Sequence, residues 1–342
     1  MGGSEDRCQD AGEGHNGAVM EYAKLNNTDL VTSRVAFGCE PLGGSDWGPL
    51  DEEEAMEAVR RAVDLGVNFF DTADVYGLGR SEELLGRALG PQRNDVIIAT
   101  KVGLNWENRP GATRARTSLD SSPRRIVEAL ENSLRRLRVD CIPLYLVHWP
   151  DPRTPIVDTM TALNRCREAG KIKHIGVSNF PAGLIREAHR VSNLAAVELP
   201  YSVIDRRVEA DTLPCCLELA IGVLAYGTLA QGLLTGKYGP GARFGQEDRR
   251  HRLPHFHGAS LIENLKTVDR LRQIGERYGK SPSQVAIRWV LEYPAVSSAI
   301  TGAKSLAQIE NNVGASGWSL TERDRQYIAT GAALVSSVRT DS

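Results

Sequence analysis

Three apolar runs of this chain end in groups that handle protons. The run 67–70 leads into Asp71-Thr-Ala-Asp-Val-Tyr76-Gly, the run 95–100 ends in Lys101, and the run 144–147 ends in His148-Trp-Pro. An acid, a phenol, an ammonium and an imidazole therefore stand at three consecutive strand ends. A phenol, with a pKa of about 10, is a poor acid–base catalyst near neutrality. An adjacent ammonium stabilises the phenolate and is expected to lower that value. A carboxylate beside the lysine would fix it and neutralise it, and the imidazole would be left to hydrogen-bond a substrate oxygen. This is machinery for passing a proton to or from a carbonyl oxygen. It has no obvious nucleophile and no metal. Read singly, each group has a plainer explanation: a strand-end lysine is usually solvated, and a lone histidine is usually a satisfied core or loop residue. Their coincidence on three neighbouring strands weakens that explanation.

The elements that must position them alternate. Apolar runs at 33–38, 67–70, 95–101, 144–148, 172–177, 195–199, 221–226 and about 296–300 read as eight strands, each followed by a helical pattern. Acidic residues at 51–54 open one helix at its positive end, Ser122-Pro123 and Ser281-Pro282 cap two others, and Gly170 ends a fourth. Eight strand–helix units imply a parallel sheet closed into a (β/α)8 TIM barrel, with extra helices near the C-terminus and a long loop, about 231–257, after strand seven. The competing architecture is an open doubly wound sheet, which usually carries Gly-x-Gly-x-x-Gly after its first strand. Here that position reads Phe37-Gly-Cys-Glu-Pro-Leu-Gly-Gly44 and does not match. Gly232-Leu-Leu-Thr-Gly-Lys237 is one residue short of a P-loop and continues with Tyr238. Residues 1–22, Gly-rich and acidic, read as a flexible tail, and 23–342 as one barrel domain.

Composition narrows the function classes. The 342 residues are 41% hydrophobic and 25% charged, with a formal net charge of −2. No basic run suggests a nucleic-acid surface, so anionic ligands must be held by local groups. No stretch approaches the roughly 20 apolar residues that span a bilayer, and the N-terminus does not read as a signal peptide. Six cysteines without a Cys-x-x-Cys pair argue against a disulfide framework or a thiolate zinc site and fit a reducing cytoplasm. His251, His255 and His257 cluster in the long loop but lack an acid or cysteine partner, so no metal is expected. That loop is expected to fold over a ligand.

Asp71-Thr-Ala-Asp-Val-Tyr76-Gly, Ile98-Ala-Thr-Lys101, Val147-His148-Trp-Pro and Gly176-Val-Ser-Asn-Phe180 together resemble the aldo-keto reductase family. The likeness runs from about Lys24 to Gly331. It implies a (β/α)8 barrel that binds NADP(H) without a Rossmann domain and reduces an aldehyde, ketone or keto-sugar by direct hydride transfer. By that pattern Tyr76 is the general acid, Lys101 and Asp71 tune it, and His148 orients the carbonyl. Ser178 and Asn179 match the residues that bond the nicotinamide carboxamide, and Tyr226 the ring that stacks on it. Gly227, Thr228, Leu229, Gln231, Gly232 and Lys237 fall in the segment that lies along the pyrophosphate. Gly302 and Lys304 resemble the turn that holds the 2′-phosphate, with Gln308, Asn311 and Asn312 near the adenine. A cation at a helix N-terminus is unfavourable by itself, so an anion between Lys304 and the helix makes sense of it. The family's other role, a non-catalytic NADP(H)-binding subunit, is the alternative, against which retention of all four polar groups argues.

The chain departs from the pattern in places. Glu198 stands where glutamine is usual at the sixth strand end. An ionised carboxylate only accepts hydrogen bonds, and it would favour the cationic oxidised nicotinamide, narrowing any preference for the reduced cofactor. Gly227 and Thr228 replace a more usual Ser-Pro, which suggests a looser pyrophosphate loop. Trp47, Trp106 and Trp149 each follow a strand end and are candidates for contact with the small carbonyl substrate, although exposed tryptophans also cover loops. Arg109, Arg114 and Arg116 follow strand three and read as a solvated loop or, alternatively, as a site for an anionic substrate. An oligomer is left open.

Overall fold

The computed structural model describes residues 19–25, 28–44, 46–107 and 116–331. In chain order the strands are β1 Tyr22–Lys24, β2 Val31–Ser33, β3 Val35–Gly38, β4 Phe69–Asp71, β5 Ile97–Val102, β6 Leu104–Glu107, β7 Arg116–Leu119, β8 Ile142–Val147, β9 Ile172–Ser178, β10 Ala196–Pro200, β11 Gly222–Tyr226 and β12 Val296–Gly302. The α-helices are α1 Glu52–Asp64, α2 Arg80–Leu89, α3 Pro123–Leu137, α4 Ile156–Glu168, α5 Ala182–Ser192, α6 Thr212–Glu218, α7 Gly258–Tyr278, α8 Pro282–Leu291, α9 Leu306–Val313 and α10 Glu322–Thr330. Strands β3, β4, β5, β8, β9, β10, β11 and β12 pair in parallel, in that cyclic order, and close a barrel. These are the eight strands expected from the alternation. The expected caps are also present. Asp51 accepts from the Glu53 and Glu54 amides, Ser122 from Arg125, and Ser281 forms a capping box with Gln284. The loop after β11 carries only short 3₁₀ turns before α7.

Side chains alternate across a strand, and this period divides the barrel into two apolar layers. Val35, Phe37, Phe70, Ile98, Tyr145, Val147, Val197 and Val223 face outward into the layer shared with the helices. Ala36, Phe69, Ala99, Leu144, Leu146, Ala196, Leu224 and Ile300 form a separate inner layer. One step further toward the C-terminal end of the same inner rows stand Gly38, Asp71, Lys101, His148, Glu198, Tyr226 and Gly302. The inner apolar residues are thus the floor on which the polar ones rest.

Two hairpins are additions to the sequence expectation. β1 and β2 pair antiparallel, and Leu25 and Leu30 between them join the inner layer, closing the barrel at its N-terminal end. This places residues 19–22, read from sequence as part of the tail, against the barrel. Glu21 accepts from Arg288 at 2.5 Å and from the Gly317 amide at 3.1 Å. β6 and β7 form the second hairpin above β5, and Arg116 is exposed on it; Arg109 and Arg114 lie outside the described residues.

One close approach ties two rim turns together. A Cβ on Gly43, in the turn after β3, would lie 2.6 Å from the Gly77 amide nitrogen, and one on Gly77 would lie 2.2 Å from the Gly43 carbonyl oxygen. Backbone meets backbone there, so neither side has a flexible group to move. Gly43→Ala is therefore expected to lower the unfolding free energy by about 1–3 kcal/mol, as overpacking does. Urea denaturation measures this, and an unchanged midpoint would contradict the contact.

Candidate active site

Asp71 and Lys101 occupy adjacent inner rows on β4 and β5, and the ladder brings their side chains together. Lys101 Nζ donates to Asp71 Oδ1 at 2.6 Å and to the Thr72 carbonyl at 3.0 Å, and Glu198 Oε2 lies 3.2 Å away. Lys101 has 0% of its surface exposed, Glu198 2% and Asp71 3%. Tyr76 sits in the turn after β4, where Gly77, Leu78 and Gly79 take positive φ and return the chain toward α2. Its ring centroid is 5.3 Å from Lys101 Nζ and 5.8 Å from the His148 ring, which it meets edge-on at 84°. The four residues read from sequence as one proton-handling set are therefore neighbours in space.

Burial sets their charge states. Burial disfavours the Lys101 ammonium, but Asp71 and Glu198 outweigh it and hold the group well above its ordinary range. Burial, with a smaller push from Lys101, holds His148 well below its ordinary range, so the imidazole is neutral. Its Nδ1 has no hydrogen-bond partner among the described residues. For Tyr76 the outcome reverses the sequence expectation. Burial raises the phenol well above its usual value, and the opposing pull of Lys101 is smaller. Asp71, Glu40 and Glu198 also oppose ionisation, so the resting group is a protonated phenol. Glu198 departs as well. Burial first, then repulsion from Asp71, pushes its carboxyl up to about 8. At neutral pH it is mainly an uncharged acid that can donate as the usual glutamine does. An effect of its negative charge on the cofactor's redox preference is thus confined to alkaline solution.

A single cleft of about 790 Å³ runs from these groups across the barrel rim. Asp71, Tyr76, His148, Asn179, Glu198 and Tyr226 line one end, and Gly227, Thr228, Leu229, Gln231, Gly232 and Lys237 its middle. Gly302, Lys304, Gln308, Asn311 and Asn312 line the far end. Of the residues matched to the cofactor, Ser178 alone is absent from this wall; it is fully buried and its Oγ accepts from Asn179 Nδ2 at 3.0 Å. Asn179 also donates to the His148 carbonyl at 3.0 Å and accepts from the Tyr226 hydroxyl at 2.7 Å, so three strand ends are bonded to one another. Trp47 and Trp149 line the cleft. Trp106 does not; it lies 5.0 Å from the Arg125 guanidinium, which also bonds Asp74 at 3.0 Å and the Leu104 carbonyl at 2.9 Å.

The far end is built for an anion. Burial and the nearby charges of Arg250 and Lys237 depress the Lys304 ammonium, so three cations crowd one place. Lys304 Nζ is held by the carbonyls of Trp47 at 3.0 Å and Pro49 at 3.3 Å. Gln231 and Gly232 both take positive φ on the same wall. These residues fit a phosphorylated dinucleotide. Sequence reading missed Arg249, Arg250 and Glu40, all on the cleft wall. The run Asp248-Arg-Arg-His-Arg252 and the acid directly after β3 were the available signals. Among the described residues no group of His, Cys, Asp or Glu is suited to hold a metal, no helix is long and apolar enough to cross a membrane, and the cysteines are free.

Glu198 makes a testable mark on stability. Its folded-state pKa of about 8 exceeds the ordinary carboxyl value, so the native state keeps a proton the unfolded chain has lost. Its contribution is present in full below the unfolded pKa and is lost as pH rises toward 8. Denaturant midpoints measured across that window should fall less steeply in Glu198→Gln than in the parent; parallel slopes would refute the buried neutral acid.

Comparison with known proteins agrees with this geometry. The model of the Aldo/keto reductase family matches residues 34–330. The aldo-keto reductase YhdN of Bacillus subtilis is 38% identical over 91% of this chain and 93% of its own length. The NADH-specific methylglyoxal reductase of Escherichia coli is 32% identical over 89% of this chain and 96% of its own. The solved structure of the glycerol dehydrogenase AKR11B4 from Gluconobacter oxydans superposes with a TM-score of 0.84 at 37% identity, covering 90% of this chain and 93% of that one. Sequence match and superposition both span the barrel, and the chain belongs to the aldo/keto reductase family.

Proposed function

We propose that this protein is an NADP(H)-dependent reductase of small neutral aldehydes, ketones or keto-sugars, with Tyr76 as the acid that protonates the carbonyl oxygen. The observation that carries this reading is the buried Lys101–Asp71 pair at 2.6 Å beside a protonated phenol and a neutral imidazole. A protein that only bound a nucleotide would have no use for that arrangement.

Asn179, Glu198 and Tyr226 would hold the nicotinamide end, and Lys237, Arg250 and Lys304 the phosphates. Bound there, the cofactor supplies the hydride. The chain's own residues handle the proton. Neutral His148 donates an N–H toward the carbonyl oxygen and fixes its direction. As negative charge develops on that oxygen, Tyr76 transfers its phenolic proton to it. The phenolate left behind stands beside the Lys101 ammonium, which Asp71 keeps charged. Lys101 therefore stabilises the state after proton transfer and does not ionise the phenol beforehand. This resolves the raised pKa of the resting phenol: the proton is retained until a developing oxyanion draws it off.

Two measurements test the reading. Tyr76→Phe should lower carbonyl-dependent NADPH oxidation by roughly 10²–10⁴-fold, the usual reach of a positioned acid. NADPH should still bind it within a few-fold of the parent by fluorescence titration, and retained turnover would refute the assignment. The relatives include an NADH-specific enzyme, so family membership leaves the cofactor open, and the cation cluster is what supports the phosphorylated form. Lys304→Met should weaken NADPH binding by roughly tenfold or more, the loss expected for a hydrogen bond between charged groups. NADH binding should change much less, and equal losses would speak against a 2′-phosphate site.

A further inference from the structure

The reduction described above leaves a buried ion pair directly behind it unused. Asp74 stands two residues before Tyr76, in the turn that leaves β4, and has 0% of its surface exposed. Arg125 is in the first turn of α3, and its side chain is largely buried. Neither residue is on the cleft wall. A cation in the first turn of a helix opposes the helix dipole, so Arg125 gains nothing from α3 itself. Its guanidinium turns instead toward the strand ends. One nitrogen, Nη2, donates to Asp74 Oδ2 at 3.0 Å and to the Leu104 carbonyl at 2.9 Å. That nitrogen carries two N–H bonds, so it can serve both acceptors at once. The guanidinium also lies 5.0 Å from the Trp106 ring.

The two acceptors belong to the two chain segments that carry the reacting pair. Asp74 leads into Tyr76. Leu104 follows Lys101 by three residues, where the chain passes through Gly103 from β5 into β6. The sheet does not fix these segments to each other. The β4–β5 register ends at Asp71 and Ala99, with one further bond from the Thr72 amide to the Ala99 carbonyl at 2.9 Å. From Ala73 onward the turn has left the ladder. Toward β3 it is held by the Gly43–Gly77 backbone contact, and toward β5 by Arg125. Burial, then repulsion from Glu82, pushes the Asp74 carboxyl up to about 8, against the pull of Arg125, Arg136 and the Val75 amide. A carboxyl oxygen accepts from an N–H whether the group is charged or neutral, so the bridge persists on both sides of that value.

We propose that Arg125 is a positioning residue for the proton transfer: by bridging Asp74 and the Leu104 carbonyl, it fixes the Tyr76 phenol relative to the Lys101 ammonium. The phenolate is stabilised only if that spacing holds while the proton leaves. Geometry of this kind is steep in its effect, and a misplacement of about 1 Å can cost on the order of 10²-fold in rate. Arginine suits the task because its planar fork reaches two acceptors and offers a flat face to an indole. A lysine at this position would keep the charge but bring a single nitrogen on a flexible stem. The assignment rests on the reading of Tyr76 as the acid and extends that machinery to a residue that substrate and cofactor never touch.

The experiment measures kcat and KM for 4-nitrobenzaldehyde with NADPH in the parent, Arg125→Met and Arg125→Lys, and repeats both substitutions in a Tyr76→Phe background. Arg125→Met should lower kcat by roughly ten- to a hundredfold. KM and the NADPH dissociation constant should change little, because Arg125 lies off the cleft wall. Arg125→Lys should fall between the parent and the methionine variant, and it serves if the latter does not fold. In the Tyr76→Phe background neither substitution should cause a further loss, because Arg125 acts through the phenol. A loss of similar size in both backgrounds is how a merely structural pair would behave, and it overturns the proposal. So does an undiminished kcat in the Arg125 variants, or a change confined to KM. Those results leave the reductase reading standing, since that reading depends on the loss in Tyr76→Phe alone. If Tyr76→Phe is as active as the parent, or if the parent reduces neither 4-nitrobenzaldehyde nor butanal, that reading falls and this assignment falls with it.

Discussion

The structure is organised around one lysine charge held inside a barrel. An ammonium with no exposed surface is tolerable only if paired, because removing a charge from water costs several kcal/mol even after relaxation. Asp71 at 2.6 Å and the Thr72 carbonyl at 3.0 Å supply that pairing from the neighbouring strand. The rest of the site is adjusted to this charge. Glu198 is buried and faces Asp71, and burial first, then that neighbouring negative charge, raises its pKa. His148 is neutral chiefly because it is buried, and repulsion from the Lys101 ammonium adds to that. The phenol keeps its proton because burial and the surrounding carboxylates outweigh one ammonium.

The barrel was legible in the sequence because its signal is redundant. Each of the eight units repeats an apolar run, a polar end and a capped helix, so an error in one does not disturb the count. The proton-handling set was legible because strand ends are where inner rows meet the rim, and Asp71, Lys101 and His148 each close such a row. The two hairpins gave a weaker signal. β1 has three residues, and β7 reads Arg-Thr-Ser-Leu, with no buried apolar face to betray it. Trp106 followed a strand end and so resembled Trp47 and Trp149, but its hairpin turns it onto Arg125.

The charge states were less legible than the positions. Residue types show that a lysine can stabilise a phenolate; they do not show how deep the phenol lies, and depth decided the direction for both Tyr76 and Glu198. The cation cluster was half visible. Lys237 and Lys304 stood in recognisable segments, whereas Arg250 lies in a loop whose path depends on tertiary structure. A formal net charge of −2 gives no hint that three cations meet at one end of a cleft. Local grouping, not overall balance, determines what anion the surface can hold.

The β1–β2 hairpin has a consequence beyond closure. With Leu25 and Leu30 seated in the inner layer, the barrel is a cup with a sealed base, and every ligand must enter and leave by the rim. Substitutions at the base, where Glu21 meets Arg288, can then set how hard the cup is to melt without touching its contents. Durability and chemistry occupy opposite poles of one axis, and each is free to change while the other is kept.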